Sequence, residues 1–75
     1  MEDKIKNIMS AVFGVPADSI NNESSSTTIE SWDSLKHIHL VVSLEEEFEI
    51  TFSNEEIAEI MNYSLIKSVL IEKKE

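Results

Sequence analysis

The stretch that decides the fold covers residues 33 to 49 and reads DSLKHIHLVVSLEEEFE. At about 100° per residue, its apolar side chains cover more than half of a helix circumference, which is wider than the stripe that a surface helix turns to its core. The sequence therefore predicts a helix over residues 34 to 49 that either packs on several sides or offers apolar surface to a ligand or partner. The apolar positions are Leu35, Ile38, Leu40, Val41, Val42, Leu44 and Phe48.

Three further helices are predicted around this one. The first covers residues 3 to 13 and ends at Gly14, a residue suited to the left-handed conformation just past a helix. A third, short helix begins at Ser53–Glu56, which has the spacing of a capping box. The fourth follows a break in the apolar pattern at residues 62 to 64 and ends in two lysines, residues 73 and 74. We predict an all-α fold, a small four-helix bundle with a long loop between helices 1 and 2 and a short third helix.

The connector between the first two helices, residues 15 to 33, is long for so small a domain, and such connectors are often functional. It carries a run of serine and threonine at its centre. Ile20, Ile29 and Trp32 flank that run. We expect these three side chains to pin the loop to the core.

The charge of the chain limits the partners that it can have. The 75 residues form one predicted domain, residues 1–75, and carry a formal charge of −9 from 15 acidic and 6 basic side chains. Nucleic acid binding rests on cationic side chains that neutralise phosphates, so we expect no nucleic acid partner and no anionic membrane surface. The acidic excess favours partners with basic patches.

Composition also bears on compartment and on metal binding. The chain has no cysteine, which excludes disulfides and thiolate metal sites. It has no apolar run long enough to span a membrane, and Met1-Glu2-Asp3-Lys4 lacks the basic-then-apolar order of a secretory signal. We therefore expect a cytoplasmic protein.

Ser34 is the residue to which chemistry is most readily assigned, because it lies where the second helix should begin. Asp33 is a good N-cap for that helix. Exposed backbone N–H groups and the positive end of the helix dipole would favour a phosphate on the Ser34 hydroxyl. Serine is also common as a plain capping residue, so the tripeptide Asp33-Ser34-Leu35 is weak evidence without its context.

Two other chemistries fit the same residues less well. Asp33, Ser34 and His37 suggest a hydrolase triad, but Asp33 is adjacent to the serine and cannot readily orient the histidine, and no Gly-x-Ser-x-Gly elbow is present. His37 and His39 point about 200° apart on a helix and cannot share a metal ion. We predict neither an enzyme nor a metal site, with His37 partly buried and His39 on the polar side.

When the tripeptide Asp33-Ser34-Leu35 is considered together with the rest of the chain, the sequence resembles the acyl carrier protein family over nearly its whole length. The resemblance rests on the acidic mini-bundle, the long loop, Asp33-Ser34-Leu35 and the segment Glu45–Phe48 eleven to fourteen residues after the serine. In that family the motif serine carries 4′-phosphopantetheine, whose terminal thiol holds an acyl group as a thioester. The resemblance implies that Ser34 receives this arm from coenzyme A through a phosphopantetheinyl transferase. A chain without cysteine needs such an imported thiol.

The resemblance also implies that the second helix recognises partner enzymes, which load or transfer acyl groups and present basic docking patches. Its outer surface is expected to have an apolar centre and a charged rim, with Glu45 as an exposed acid. The expected partner-binding residues are Leu35, Ile38, Val42, Glu45 and Glu46. In the family the acyl chain can enter between the second and third helices, and the residues expected to line such a cleft are His37, Val41, Leu44, Phe48, Ile60 and Met61.

Two departures from the family pattern indicate a specialised stand-alone carrier of a hydroxyacyl, aminoacyl or short acyl unit. We also expect the protein to be a monomer that serves fatty acid or secondary metabolite biosynthesis. Ser31-Trp32 replaces the small pair that precedes the motif in many fatty-acid carriers, and Lys36 and His39 stand where acids are usual. The same departures leave an aminoacyl or peptidyl carrier open. The alternative from another class is an unmodified acidic helical interaction module, which would use the same broad helix for one stable partner.

Overall fold

A computed structural model of the protein describes residues 1–74. Within that range the chain forms four α-helices and one short 3₁₀ turn. The described residues form no β-sheet, and their β-pairing is limited to one isolated antiparallel bridge between Ser25 and Asn62. The predicted all-α fold is confirmed. The elements are α1 Glu2–Phe13, the 3₁₀ turn Ala17–Ser19, α2 Ser34–Phe48, α3 Asn54–Glu59 and α4 Tyr63–Lys74.

The first two helices both end in a left-handed residue. Gly14 closes α1 with φ 69°, and its N–H donates to the Ser10 carbonyl, as the sequence predicts. Glu49 closes α2 with φ 53°, and its N–H donates to the Glu45 carbonyl. The helix predicted to reach residue 49 therefore ends at Phe48, one residue earlier.

Capping side chains start both helices of the C-terminal half, α3 and α4. The predicted capping box of α3 is confirmed: the Ser53 hydroxyl accepts from the Glu56 N–H at 3.1 Å, and the Glu56 carboxylate accepts from the Ser53 N–H at 2.8 Å. The prediction that residues 62 to 64 interrupt the helical pattern is wrong for the last two, because α4 begins at Tyr63. The Asn62 side chain accepts from the Leu65 N–H at 2.8 Å and starts the helix.

One hydrophobic core joins the helices to the connector. Each of α1, α2 and α4 contributes side chains that are fully buried, and Ile60, just after α3, is buried with them. Ile20, Ile29 and Trp32 of the connector belong to the same cluster, which confirms that they pin the loop to the core. The fully buried side chains of this core include Ile5, Met9, Leu40, Leu44, Ile66 and Leu70.

The connector is also held by backbone hydrogen bonds to the turn between α3 and α4. The Ser26 N–H donates to the Met61 carbonyl at 3.0 Å, and the Tyr63 N–H donates to the Ser24 carbonyl at 2.9 Å. At its other end the Ser31 hydroxyl donates to the Phe13 carbonyl at 2.8 Å. The segment that leads to Ser34 is thus fastened to both ends of the bundle.

None of the helices described in residues 1–74 combines the length and the apolar character needed to cross a bilayer.

Candidate functional site

Ser34 is the first residue of α2 and its side chain is exposed. The preceding Asp33 has an extended backbone, and its carboxylate accepts from the Lys36 N–H at 2.9 Å. The Asp33 carbonyl accepts from the His37 N–H at 2.8 Å, which closes the first turn. Asp33 therefore does the capping, and the Ser34 hydroxyl makes no hydrogen bond to any residue in the described range 1–74.

The backbone around Ser34 suits a phosphate ester on that hydroxyl. The Ser34 and Leu35 N–H groups donate to no acceptor in residues 1–74, since the cap uses only the Lys36 and His37 amides. Free amides at the start of a 15-residue helix combine with the helix dipole to favour an anion. The exposed hydroxyl and the free amides fit a 4′-phosphopantetheine phosphodiester.

Close to Ser34, two hydrogen bonds through the buried His37 side chain form a polar bridge between Trp32 and Ile57. The Trp32 indole N–H donates to His37 Nδ1 at 3.0 Å, so the imidazole proton is on Nε2, which donates to the Ile57 carbonyl at 2.7 Å. Trp32 also stacks on Phe13, with ring centroids 4.6 Å apart. The bridge joins the connector, α2 and α3. The sequence predicts a partly buried His37, but its two hydrogen bonds, to residues 5 and 20 positions away, follow no local pattern.

The six residues predicted to line an acyl cleft lie mostly in closed core. Five of them are at most 7% exposed, and both ring nitrogens of His37 are engaged in the bridge. Met61 alone is partly open, at 37%. Two surface depressions of the described residues lie elsewhere, one along the connector and one between α1 and α2. An acyl cleft at these residues stays a prediction.

The outer face of α2 is a stripe of exposed apolar side chains. Leu35 is 64% exposed, Ile38 52% and Val42 47%. Glu46 is exposed beside them. Such a stripe with a charged neighbour has the character of a docking surface with an apolar centre and a charged rim.

Glu45 differs from its predicted state as an exposed acid. Its carboxylate accepts from the Phe52 N–H at 2.9 Å, and the side chain is half-buried. Glu45 thus fastens the loop between α2 and α3 to the end of α2. A local pattern could not show this, because the partner amide lies seven residues away beyond the helix end.

Comparison with known proteins agrees with this geometry. The family model described as the phosphopantetheine attachment site matches residues 3–68. The chain belongs to this family. The matched range includes Ser34 and both faces of α2.

A solved member of the family has the same fold. The solution NMR structure of holo acyl carrier protein from Geobacter metallireducens is similar to this chain with a TM-score of 0.85 and 30% sequence identity, over 96% of this chain and 83% of that chain. The predicted resemblance to acyl carrier proteins is confirmed. Proteins of the phosphopantetheine-attachment family are carriers and not enzymes, and their prosthetic group is 4′-phosphopantetheine.

Proposed function

We propose that this carrier holds an acyl group as a thioester on 4′-phosphopantetheine attached to Ser34 and delivers it to partner enzymes. The observation that carries the proposal is the state of Ser34: an exposed hydroxyl, without an intramolecular hydrogen bond in residues 1–74, at the first position of a helix already capped by Asp33. Membership of the phosphopantetheine-attachment family supports it.

The residues around Ser34 have distinct tasks in this function. Asp33 takes the capping bond to the Lys36 N–H, so the serine oxygen is free to form the ester. The Ser34 and Leu35 amides face the phosphate that would be attached there. The arm supplies the thiol that a chain without cysteine lacks. Because the thiol is at the end of a long arm, the bundle needs no pocket around the reacting sulfur.

The docking surface proposed for partner enzymes is the exposed stripe Leu35, Ile38 and Val42, with Glu46 at its rim. A phosphopantetheinyl transferase and the enzymes that load and remove the acyl group would all use it, each through a basic patch opposite Glu46. Contacts of this kind give fast association that weakens with salt, which suits a carrier that must leave every partner. We expect the carrier to act as a monomer in the cytoplasm.

Attachment is tested by intact mass after incubation with coenzyme A and a broad-specificity phosphopantetheinyl transferase. We expect the wild-type chain to gain one phosphopantetheine, Ser34→Ala to gain none, and Ser68→Ala, a change of an exposed serine on α4, to gain one. If the folded wild-type chain stays unmodified with several transferases, Ser34 is only the first residue of a helix. That result would favour the unmodified interaction module.

The cargo is identified by a second mass measurement on holo protein isolated from cells. Neutral hydroxylamine cleaves a thioester to a hydroxamate and a free thiol, so the mass lost on that treatment equals the acyl group less the one hydrogen that the thiol regains. An acyl or hydroxyacyl mass would support the carrier proposed here. An aminoacyl or peptidyl mass would support the alternative carrier class and leave the attachment at Ser34 unchanged.

A further inference from the structure

Lys36 stands apart from the other lysines of the chain. The six basic residues of the sequence are all lysines, and five of them interact with a carboxylate, a carbonyl or an aromatic ring. Lys36 makes no such side-chain contact within residues 1–74, although the chain has 15 acidic residues. The paired lysines are Lys4 with Glu47, Lys67 with Glu2, Lys73 with Glu56, Lys74 with the Phe48 carbonyl and Lys6 with the Tyr63 ring.

Lys36 lines a depression between α1 and α2 that has a volume of about 400 Å³. His39, three residues later and therefore on the same helix face, lines it too. Val12 from α1 and Val42 from α2 contribute apolar walls. Val42 also belongs to the exposed stripe of α2, so this groove is continuous with the proposed docking surface.

A phosphate on Ser34 does not account for Lys36. The two residues are separated by about 200° around the helix axis, so their side chains leave α2 on opposite sides. The Lys36 backbone N–H, which would face an anion at the helix start, is already bonded to the Asp33 carboxylate. The ammonium group is therefore available to a partner that lies along α2.

We propose that the groove at Lys36 and His39 receives a carboxylate side chain of the enzyme that docks on α2. This proposal rests on the proposed function, because an enzyme that acts at Ser34 must cover the N-terminal half of α2. The partner surface would then carry both signs, with an acid opposite Lys36 and a base opposite Glu46. Such a pattern sets the direction of docking along the helix.

The same pattern excludes some partners. An enzyme whose docking surface is basic throughout places a positive charge against Lys36, and a like-charge contact at an interface is unfavourable. The groove would thus separate this carrier from enzymes that serve carriers with acidic residues at both ends of the helix.

The test measures the modification rate of apo protein by the purified phosphopantetheinyl transferase of the organism that makes this chain. We expect Lys36→Glu to raise the KM for the carrier by about five-fold or more with little change in kcat, because the repulsion acts on association. Lys36→Arg keeps the charge and should keep the KM. Lys74→Glu makes the same change of net charge at the far end of α4 and is the matched control, expected to stay within about two-fold.

The direction in which the KM changes for Lys36→Glu decides whether the proposal holds. A KM for Lys36→Glu that equals or falls below the wild-type value would overturn the proposal, because it would show no acid, or a base, opposite the groove. If Lys36→Glu fails the circular dichroism check of folding, Lys36→Gln replaces it, with a smaller rise expected. Failure of the proposed function is visible separately in the same assay, since the wild-type chain would then not be modified at all.

Discussion

Glu49 is a residue whose backbone conformation costs free energy. At φ 53° and ψ 51° it occupies the left-handed region, where a Cβ atom crowds the backbone and glycine is the usual choice. The helix nevertheless stops there, because the next N–H, of Ile50, donates to the Glu45 carbonyl and Ile50 packs against the core. The sequence could not reveal this end, since a glutamate normally continues a helix.

Replacing Glu49 by glycine should stabilise the protein. The relief of left-handed strain exceeds the extra entropy of glycine in the unfolded chain, so we expect a gain of about 0.5–1 kcal/mol in the free energy of unfolding. Glu46→Gly, an identical replacement inside α2, should instead cost about 1 kcal/mol. Urea denaturation measures both, and equal losses for the two variants would show that Glu49 is not strained.

A comparison of Asp33 with Glu45 shows which hydrogen-bond roles of single residues can be predicted from the sequence. The capping role of Asp33 was predictable, because its partner is the amide three residues later in the same turn. The bond of Glu45 to the Phe52 amide depends on how the chain returns after the helix, and no local pattern records that.

Glu45→Ala should therefore destabilise the protein through the loop after α2. Loss of the acceptor leaves the half-buried Phe52 amide unpaired, at a cost of about 1–2 kcal/mol. Glu45→Gln retains an acceptor oxygen and should lose less, and the exposed Glu46→Ala should change stability by less than about 0.5 kcal/mol. Thermal unfolding of the three variants checks this order, and a loss for Glu46→Ala as large as for Glu45→Ala would contradict it.

Among the elements, α3 depends most on its neighbours. It has six residues, fewer than a helix needs to persist alone in water, so its capping box and its tertiary contacts must maintain it. One of those contacts is the bond from His37 on α2 to the Ile57 carbonyl within α3. The box was evident from spacing alone. The bond from His37 was not, because it joins residues 20 positions apart.

His37→Ala should weaken the attachment of α3 and of the connector at once. It deletes a buried side chain and leaves the Trp32 N–H without its acceptor, so we expect a loss of about 2–4 kcal/mol. His39→Ala is the matched control on the exposed side and should change stability by less than about 0.5 kcal/mol. Urea denaturation followed by circular dichroism measures both, and similar small effects would show that the bridge contributes little.

Across the whole molecule, the first and last helices are joined by a hydrogen bond from the Tyr63 hydroxyl to the Glu2 carboxylate, at 3.1 Å. Burial, and then this bond, raise the pKa of Tyr63 to about 12 from its ordinary value of 10.0. The same bond, helped by Lys67, lowers the pKa of Glu2. The contact between α1 and α4 therefore depends on the protonation states of Tyr63 and Glu2.

Stability should fall in alkali because of Tyr63. Its pKa is higher in the folded chain than in the unfolded chain, so the folded state binds more protons between pH 10.0 and about 12, and the stabilisation present below that window is lost as the pH rises through it. Tyr63→Phe should remove this part of the pH dependence. Urea midpoints across the window, compared for the two proteins, measure the effect, and parallel curves would contradict it.

The helical bundle as a whole was predictable from sequence, because amphipathic spacing and caps act over a few residues. The path of the connector was predictable only at its apolar anchors, Ile20, Ile29 and Trp32. Its backbone bonds to the turn between α3 and α4, through Ser24 and Ser26, involve no side-chain pattern that a sequence displays. The 3₁₀ turn at Ala17–Ser19 was missed for the same reason.

The single tryptophan of the chain lies two residues before Ser34 and is buried against Phe13 and His37. Its indole is therefore a built-in optical reporter of the segment that would carry the arm. Emission intensity and wavelength should respond if attachment at Ser34, or entry of a cargo beside α3, shifts the histidine that holds the indole. Loading could then be followed in real time on the unlabelled protein, with no dye on the docking surface.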